Sequence, residues 1–375
     1  MTNTELMNKY YLIRSIDWRF KLDRFEDAAL KEILKSVDKA RGEIIAELDA
    51  RGKAKKLTEW SEERLTSLLE ETEDLTIGIK ARIGEDVDQV VKVVAARSTD
   101  EYNDMFSVSG KMPGFNNVSL SAEQMAAMVS TPVGGLLMTD AISDAFDYNL
   151  IERAKIDIQT GLLKGESYKK LVDRVDEYYE GARSDVISLV RTQVQEINNQ
   201  AAKTVANANR DILQDKWTWC GLMDSRACMT CLSLDGQLFD YDDPIAIPYH
   251  VRCRCFRLFK TKTWSEITDG RIDIPEFEDA MRPWVLRNGD VNVGGAKIVL
   301  AGHMKGTGKD FFNMLSDERK KTIIGANRLR LLNEGKISFD DMVDSRGRVA
   351  LLNKKRTGLL KPKGKVPVGG TGLEF

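Results

Sequence analysis

The sequence predicts a mainly α N-terminal half made of long amphipathic helices, followed by a small α+β domain with a Cys/His site. Three observations predict it. Apolar residues recur three or four apart from Trp18 to about Leu213, the period of a helix face. At Trp217 the pattern changes type, and short strand-like pieces and turns take over. All five cysteines and one of the two histidines fall between Cys220 and Cys255.

The first helix is predicted from the stripe Trp18, Leu22, Phe25, Ala29, Ile33, Val37, Ile44 and Leu48, ending near Gly52. A second starts at Ser61, whose hydroxyl can cap free N–H groups while Glu62 and Glu63 complement the positive helix end. Leu65, Leu68, Leu75, Ile79 and Ile83 continue its stripe. Gly110, Pro113 and Gly114 with Asn116 and Asn117 mark a loop. Ser121 and Gln124 form a capping box for a short helix that stops at Thr131-Pro132. Helical spacing returns through Leu150, Ala154, Ile158 and Leu162, breaks at Gly165, and restarts at Ser167 with a further break near Gly181. These signals divide the chain into a helical domain at 1–209, a second domain at 210–352, and a basic flexible tail at 353–375.

Composition narrows the function. The chain of 375 residues has 42% hydrophobic and 30% charged residues with 8 prolines, as a helix-rich protein does. A net charge of −2 argues against a dedicated nucleic-acid binder. The basic residues Lys354, Lys355, Arg356, Lys361, Lys363 and Lys365 concentrate in the tail. Met1 to Asp17 has no secretory signal pattern, and no run of 18 apolar residues occurs, so a soluble protein made in a cytoplasm is expected.

In a reducing compartment, a tight Cys/His cluster points to metal rather than disulfides. Cys228 and Cys231 form a C-x-x-C knuckle, and His250, Cys253 and Cys255 follow about twenty residues on. This is the pattern of a structural, tetrahedral Zn2+ site. Cys220 lies farthest from the knuckle in an aromatic strand and is set aside. Spacing does not choose between Cys253 and Cys255, because residues two apart on a strand share a face. The other reading is a small core of reduced cysteines. No H-E-x-x-H occurs, the order of H-x-E and P-C-x-x-C found in deaminases is absent, and Gly302 to Lys309 misses phosphate-loop spacing. His303 stands alone as an expected surface or turn residue. No catalytic residue is assigned, and no enzyme activity is expected.

Asp224, Cys228, Cys231, Leu234, Gly236, His250, Cys253, Arg254 and Cys255 together resemble the signature of the phage Mu F-like head-morphogenesis, or minor head, proteins. Upstream, Leu189-Val190-Arg191-Thr192 and the Asn/Ala-rich run to Asn209 resemble the helix that precedes this module. Downstream, Ile324-Gly325, Arg328, Leu332, Gly335 and Arg346-Gly347-Arg348 resemble its closing segment, where Ser338 and Asp341 suggest a capping box on a last short helix. The resemblance spans about residues 145 to 352. Gln193 stands where glutamate commonly follows Arg-Thr, and Val251 where proline often follows the histidine.

The resemblance implies a minor capsid protein inside the head of a tailed bacteriophage, made in the host cytoplasm and bound to the portal. It would assist assembly and DNA packaging or ejection. Major capsid or scaffolding protein are further expected partners. The helical half, with stripes too extended for one core, is expected to attach to the portal or inner capsid. The basic tail is expected to touch packaged DNA weakly. Competing readings are a zinc-dependent enzyme delivered with the genome, or a nucleic-acid-binding zinc module using Arg252, Arg254, Arg257 and Lys260.

Overall fold

A computed structural model describes residues 3–54, 62–107, 114–130, 156, 160, 168–224, 226–267, 282–287, 298–304, 307–344, 347–353 and 355–360. Its N-terminal half is helical: α1 (Asn3–Ala54), α2 (Glu62–Phe106), α3 (Ala122–Val129) and α4 (Tyr168–Asn207). The C-terminal part mixes short elements: β1 (Lys216–Cys220), α5 (Met229–Leu234), β2 (Leu238–Asp240), β3 (Phe256–Leu258) and α6 (Trp264–Ile267). Then come β4 (Arg282–Arg287), β5 (Ile298–Met304), α7 (Gly308–Met314), α8 (Asp317–Asn333), β6 (Leu351–Leu352) and β7 (Leu359–Leu360). Among the described residues no helix is long and apolar enough to cross a membrane.

Two expectations about the helices need correction. The first helix begins at Asn3, well ahead of Trp18. Its early turns bury Tyr11, Leu12 and Ile16, but Ser15 and Arg19 share the buried face, and these polar residues hide the stripe from a hydrophobicity reading. The break near Gly181 is absent, because α4 runs unbroken from Tyr168 to Asn207. A lone glycine costs a helix only about 1 kcal/mol, and burial of the flanking Tyr179 and Ala182 outweighs it. The Ser121–Gln124 capping box is present, with reciprocal bonds of 3.1 and 2.8 Å. The Ser61 cap, the segment through Leu150, Ala154, Ile158 and Leu162, and the side chains of Ile44, Leu48, Leu65, Leu68, Leu75 and Ile79 lie outside the described ones.

The chain forms two compact units that do not follow chain order: 23–96 with 120–197, and 1–22 with 97–119 and 198–375. The first is a helical packing unit. In it α1 buries Leu30, Ile33, Leu34 and Val37, α2 buries Ile83, Val87, Val91 and Val94, and α4 buries Ala182, Val186, Val190 and Val194. These are three- and four-residue spacings, so one face of each helix is apolar. Arg41 pairs with Asp176 through two 3.0 Å bonds and Arg191 with Asp27 at 2.8 Å, setting α1 against α4.

The second unit contains the cysteines. Its central sheet is antiparallel in the order β2-β1-β3, with Trp217 opposite Phe239 and Cys220 opposite Phe256. Helix ends seal this sheet. Tyr11 and Phe106 meet edge-on at 5.6 Å, and Phe106 meets Phe259 at 5.7 Å. Trp18 donates its indole N–H to Asn198 at 2.8 Å. A separate core joins Met223, Met229 and Leu232 to Phe311, Phe312, Ile324, Leu331, Phe339 and Met342, so α5 rests on α7 and α8.

The C-terminal segment differs from expectation at two places. Ser338 and Asp341 do bond, at 2.8 and 2.7 Å, but they close a turn rather than open a helix. The segment from 353 does not begin as a flexible tail. Residues 355–360 turn back so that β7 pairs with β6, and Leu359 packs on the core, because apolar Leu359 has a face to bury that the flanking lysines lack. Residues 361–375 lie outside the described ones.

Candidate metal centre

Two chain segments supply the donors. In the first, Cys228 is the N-cap of α5, and its sulfur accepts the N–H of Cys231 at 3.4 Å. A capping residue and the one three positions on lie over the same helix end, so both sulfurs emerge on one side. In the second, the Cys253 N–H bonds the His250 carbonyl at 3.0 Å and closes a turn, with Arg252 in the left-handed region at φ 58. Cys255 follows just before β3. Cys253 and Cys255 are therefore turn and approach residues, not strand residues as the sequence suggested.

The five expected donors converge. Nε2 of His250 lies 3.1 Å from the sulfur of Cys228 and 3.1 Å from that of Cys231. The donor atoms of Cys228, Cys231 and His250 lie within 4.8 Å of one another, and so do those of Cys231, Cys253 and Cys255. Cys231 is common to both groups. Neighbouring donors around a tetrahedral zinc would be about 3.5–3.8 Å apart, given Zn–S near 2.3 Å and Zn–N near 2.0 Å. Soft thiolates plus one imidazole at this spacing could hold a metal. Cys220 belongs to neither group.

The charges suit a cation. The bond from Cys231 and the neighbouring His250 pull the Cys228 thiol down to about 5. The bond from Cys231 also holds Cys253 well below the ordinary thiol value, while Cys231 is raised by its bond to Cys228. Burial alone would lower His250, but the Cys253 charge and the Cys228 sulfur raise it to about 11. Without metal, the cluster is thus a set of shared protons between sulfurs and imidazole, and a metal would displace them.

Supporting residues fix the two segments. Asp224 accepts two 2.6 Å bonds from the Arg254 guanidinium and one of 2.8 Å from the Arg226 N–H. Burial would raise the Asp224 carboxyl, but Arg254 holds it below its usual value. Three residues that spacing did not single out also matter. Asn199 on α4 donates to the Cys255 carbonyl at 3.4 Å and accepts the Arg257 N–H at 3.3 Å, acting as a strand partner for β3. Asp235 accepts from Gly221 at 2.8 Å and from Gly308 at 2.9 Å, tying β1 to α7. Thr230 donates to the Gly347 carbonyl at 3.1 Å. The Asn/Ala-rich run to Asn209 was the only signal for Asn199, Asp235 stands between Leu234 and Gly236 of the resembled signature, and nothing in the sequence marked Thr230.

The remaining sequence candidates are placed as follows. His303 lies in β5 opposite Pro283, so it is a strand residue rather than a turn one. Gly308 starts α7 rather than a phosphate loop, with Thr307 and Asp310 bonded as a cap at 2.7 Å. Of the four basic residues near the site, Arg254 is held by Asp224, and Arg257 stacks 4.9 Å from the centre of the Trp217 ring.

Residues 153–258 match the family model described as Phage Mu protein F like protein. The match supports a Mu F-like assignment, points to phage head morphogenesis, and contains all five cysteines and His250. No curated protein matches the chain, and no solved structure does.

Proposed function

We propose that this chain, with its Mu F-like segment at 153–258, is a minor capsid protein of a tailed phage that carries one structural zinc. The carrying observation is that the matched segment is where five thiol and imidazole donors converge. We take Cys228, Cys231 and His250 as three of the ligands, with Cys253 or Cys255, which both cluster on Cys231, as the fourth. Four protein donors leave no open position for substrate, so a zinc there would cross-link the two segments and would not act as a Lewis acid. No role as an enzyme follows from such a site. Engagement of Arg254 and Arg257 within the fold favours this reading over a nucleic-acid-binding zinc module.

The same reading places the protein inside the phage head, after assembly in the host cytoplasm. Its partners are the portal protein and the major capsid or scaffolding protein, reached through the helical part, with a weak contact of the basic tail to packaged DNA. It assists head assembly and DNA packaging or ejection. Mass spectrometry and cross-linking of purified particles test this. The chain should be present at low copy and cross-link to portal. A chain absent from proheads and particles overturns the assignment.

A further inference from the structure

The two donor segments are far apart in sequence, and one ion pair joins them outside the donor set. Asp224 lies on the loop before Cys228 and Arg254 lies between Cys253 and Cys255. Their side chains are 2% and 12% exposed, and the guanidinium meets both carboxylate oxygens at 2.6 Å. A forked pair fixes direction as well as distance, which a single contact does not.

The carboxylate also shapes its own segment. Asp224 takes the Arg226 N–H on Oδ1, and its carbonyl takes the Ala227 N–H at 3.1 Å. That turn delivers Cys228 to its capping position on α5. On the other side, holding Arg254 constrains the residues on either side of it, which are the two sulfurs of the second segment. The pair is neutral as a unit, so it orders both segments without adding net charge beside the thiolates.

We propose that Asp224 and Arg254 are a positioning pair that sets the two donor segments at metal-binding spacing before a metal arrives. The proposal rests on the zinc reading above. Ordering two loops on binding costs affinity, and a pair that orders them beforehand removes that cost. Neither residue is a ligand.

The experiment uses the full chain, with Asp224→Asn, Arg254→Lys and the combined variant. Zinc affinity is measured by competition with a chromophoric chelator, the donor set by the absorption of the cobalt(II) form, and melting with and without zinc. Asp224→Asn should weaken zinc binding about 10–100-fold, the range for groups that orient metal ligands. Arg254→Lys should lose less, and the combined variant no more than the worse single change, since each removes the same interaction. Cobalt bands should keep their positions, and the melting gain given by zinc should shrink more than the metal-free melting temperature falls. Unchanged zinc affinity, with both forms melting equally lower, would show a merely structural pair and overturn the proposal. A shift of the cobalt d–d bands in Asp224→Asn would overturn it differently, by placing Asp224 in the donor set. A wild-type chain that takes up neither zinc nor cobalt fails earlier, at the zinc reading itself, and the pair falls with it.

Discussion

His250 donates its Nδ1 proton to the Val251 carbonyl at 2.8 Å. A carbonyl only accepts, so this contact puts a proton on Nδ1 and leaves Nε2, which faces Cys228 and Cys231, as the nitrogen that would take a metal in exchange for its shared proton. The contact uses main chain at position 251, which explains how valine can stand where proline often follows the family histidine. Val251→Pro keeps that carbonyl. The expected outcome is one zinc per chain in both wild type and variant, measured by elemental analysis after purification without chelator.

The two donor groups share only Cys231, which makes a ranking testable. Cys231→Ser should abolish zinc uptake, because either group loses its common member. Of Cys253→Ser and Cys255→Ser, one should lose zinc and the other keep it, since a single fourth place stands beside Cys228, Cys231 and His250. Removing the metal with a chelator should lower the melting temperature of wild type and of the zinc-keeping variant alike, because metal binding adds its free energy to the folded state. Zinc kept at wild-type affinity in both, or in Cys231→Ser, would overturn this ranking.

Asn199 carries a different kind of prediction. Its amide serves two main-chain groups of the strand that follows the donors, and it is fully buried. Asn199→Ala leaves a carbonyl and an N–H without this partner, which costs about 1–3 kcal/mol. Asn207 on the same helix is exposed, and Asn207→Ala should stay within about 0.5 kcal/mol of wild type. Urea melts of the three proteins distinguish them, and equal midpoints would show that the strand does not depend on Asn199.

Glycine gives the same substitution two opposite signs. A Cβ on Gly308 would sit 2.1 Å from the main-chain oxygen of Leu232, and backbone cannot move aside cheaply. Gly308→Ala should therefore destabilise by about 1–3 kcal/mol or more. A Cβ on Gly181 meets nothing within 4 Å in the middle of α4, so Gly181→Ala should stabilise by about 0.5–1 kcal/mol. Thermal melts showing both shifts in one direction would contradict this packing.

These residues also show what was legible in advance. The cluster of Cys228, Cys231, His250, Cys253 and Cys255 could be read because metal donors need few residue types at short spacing. The change at Trp217 could be read because strand and helix have different periods. Asn199 left no such mark, since an amide that pairs with distant main chain has no spacing rule. Gly181 misled because a glycine signals a break only where burial does not outweigh its helix cost. The hairpin at Leu359 was hidden inside a run of basic residues that resembles a disordered tail.

That hairpin decides how the proposed DNA contact must be tested. Truncation after Leu352 would remove β7 and the packing of Leu359, and so confuse folding with binding. Truncation after Leu360 keeps both and removes Lys361, Lys363 and Lys365. Each phosphate neutralised contributes about 0.9 to the dependence of log affinity on log salt, so three lysines account for a slope of at most about 2.7. The full chain should bind duplex DNA weakly and with a salt slope steeper by up to about 2.7 units than the chain ending at Leu360. Both should melt at the same temperature and cross-link to portal equally. If the slope is the same in the two proteins, the tail does not carry the DNA contact.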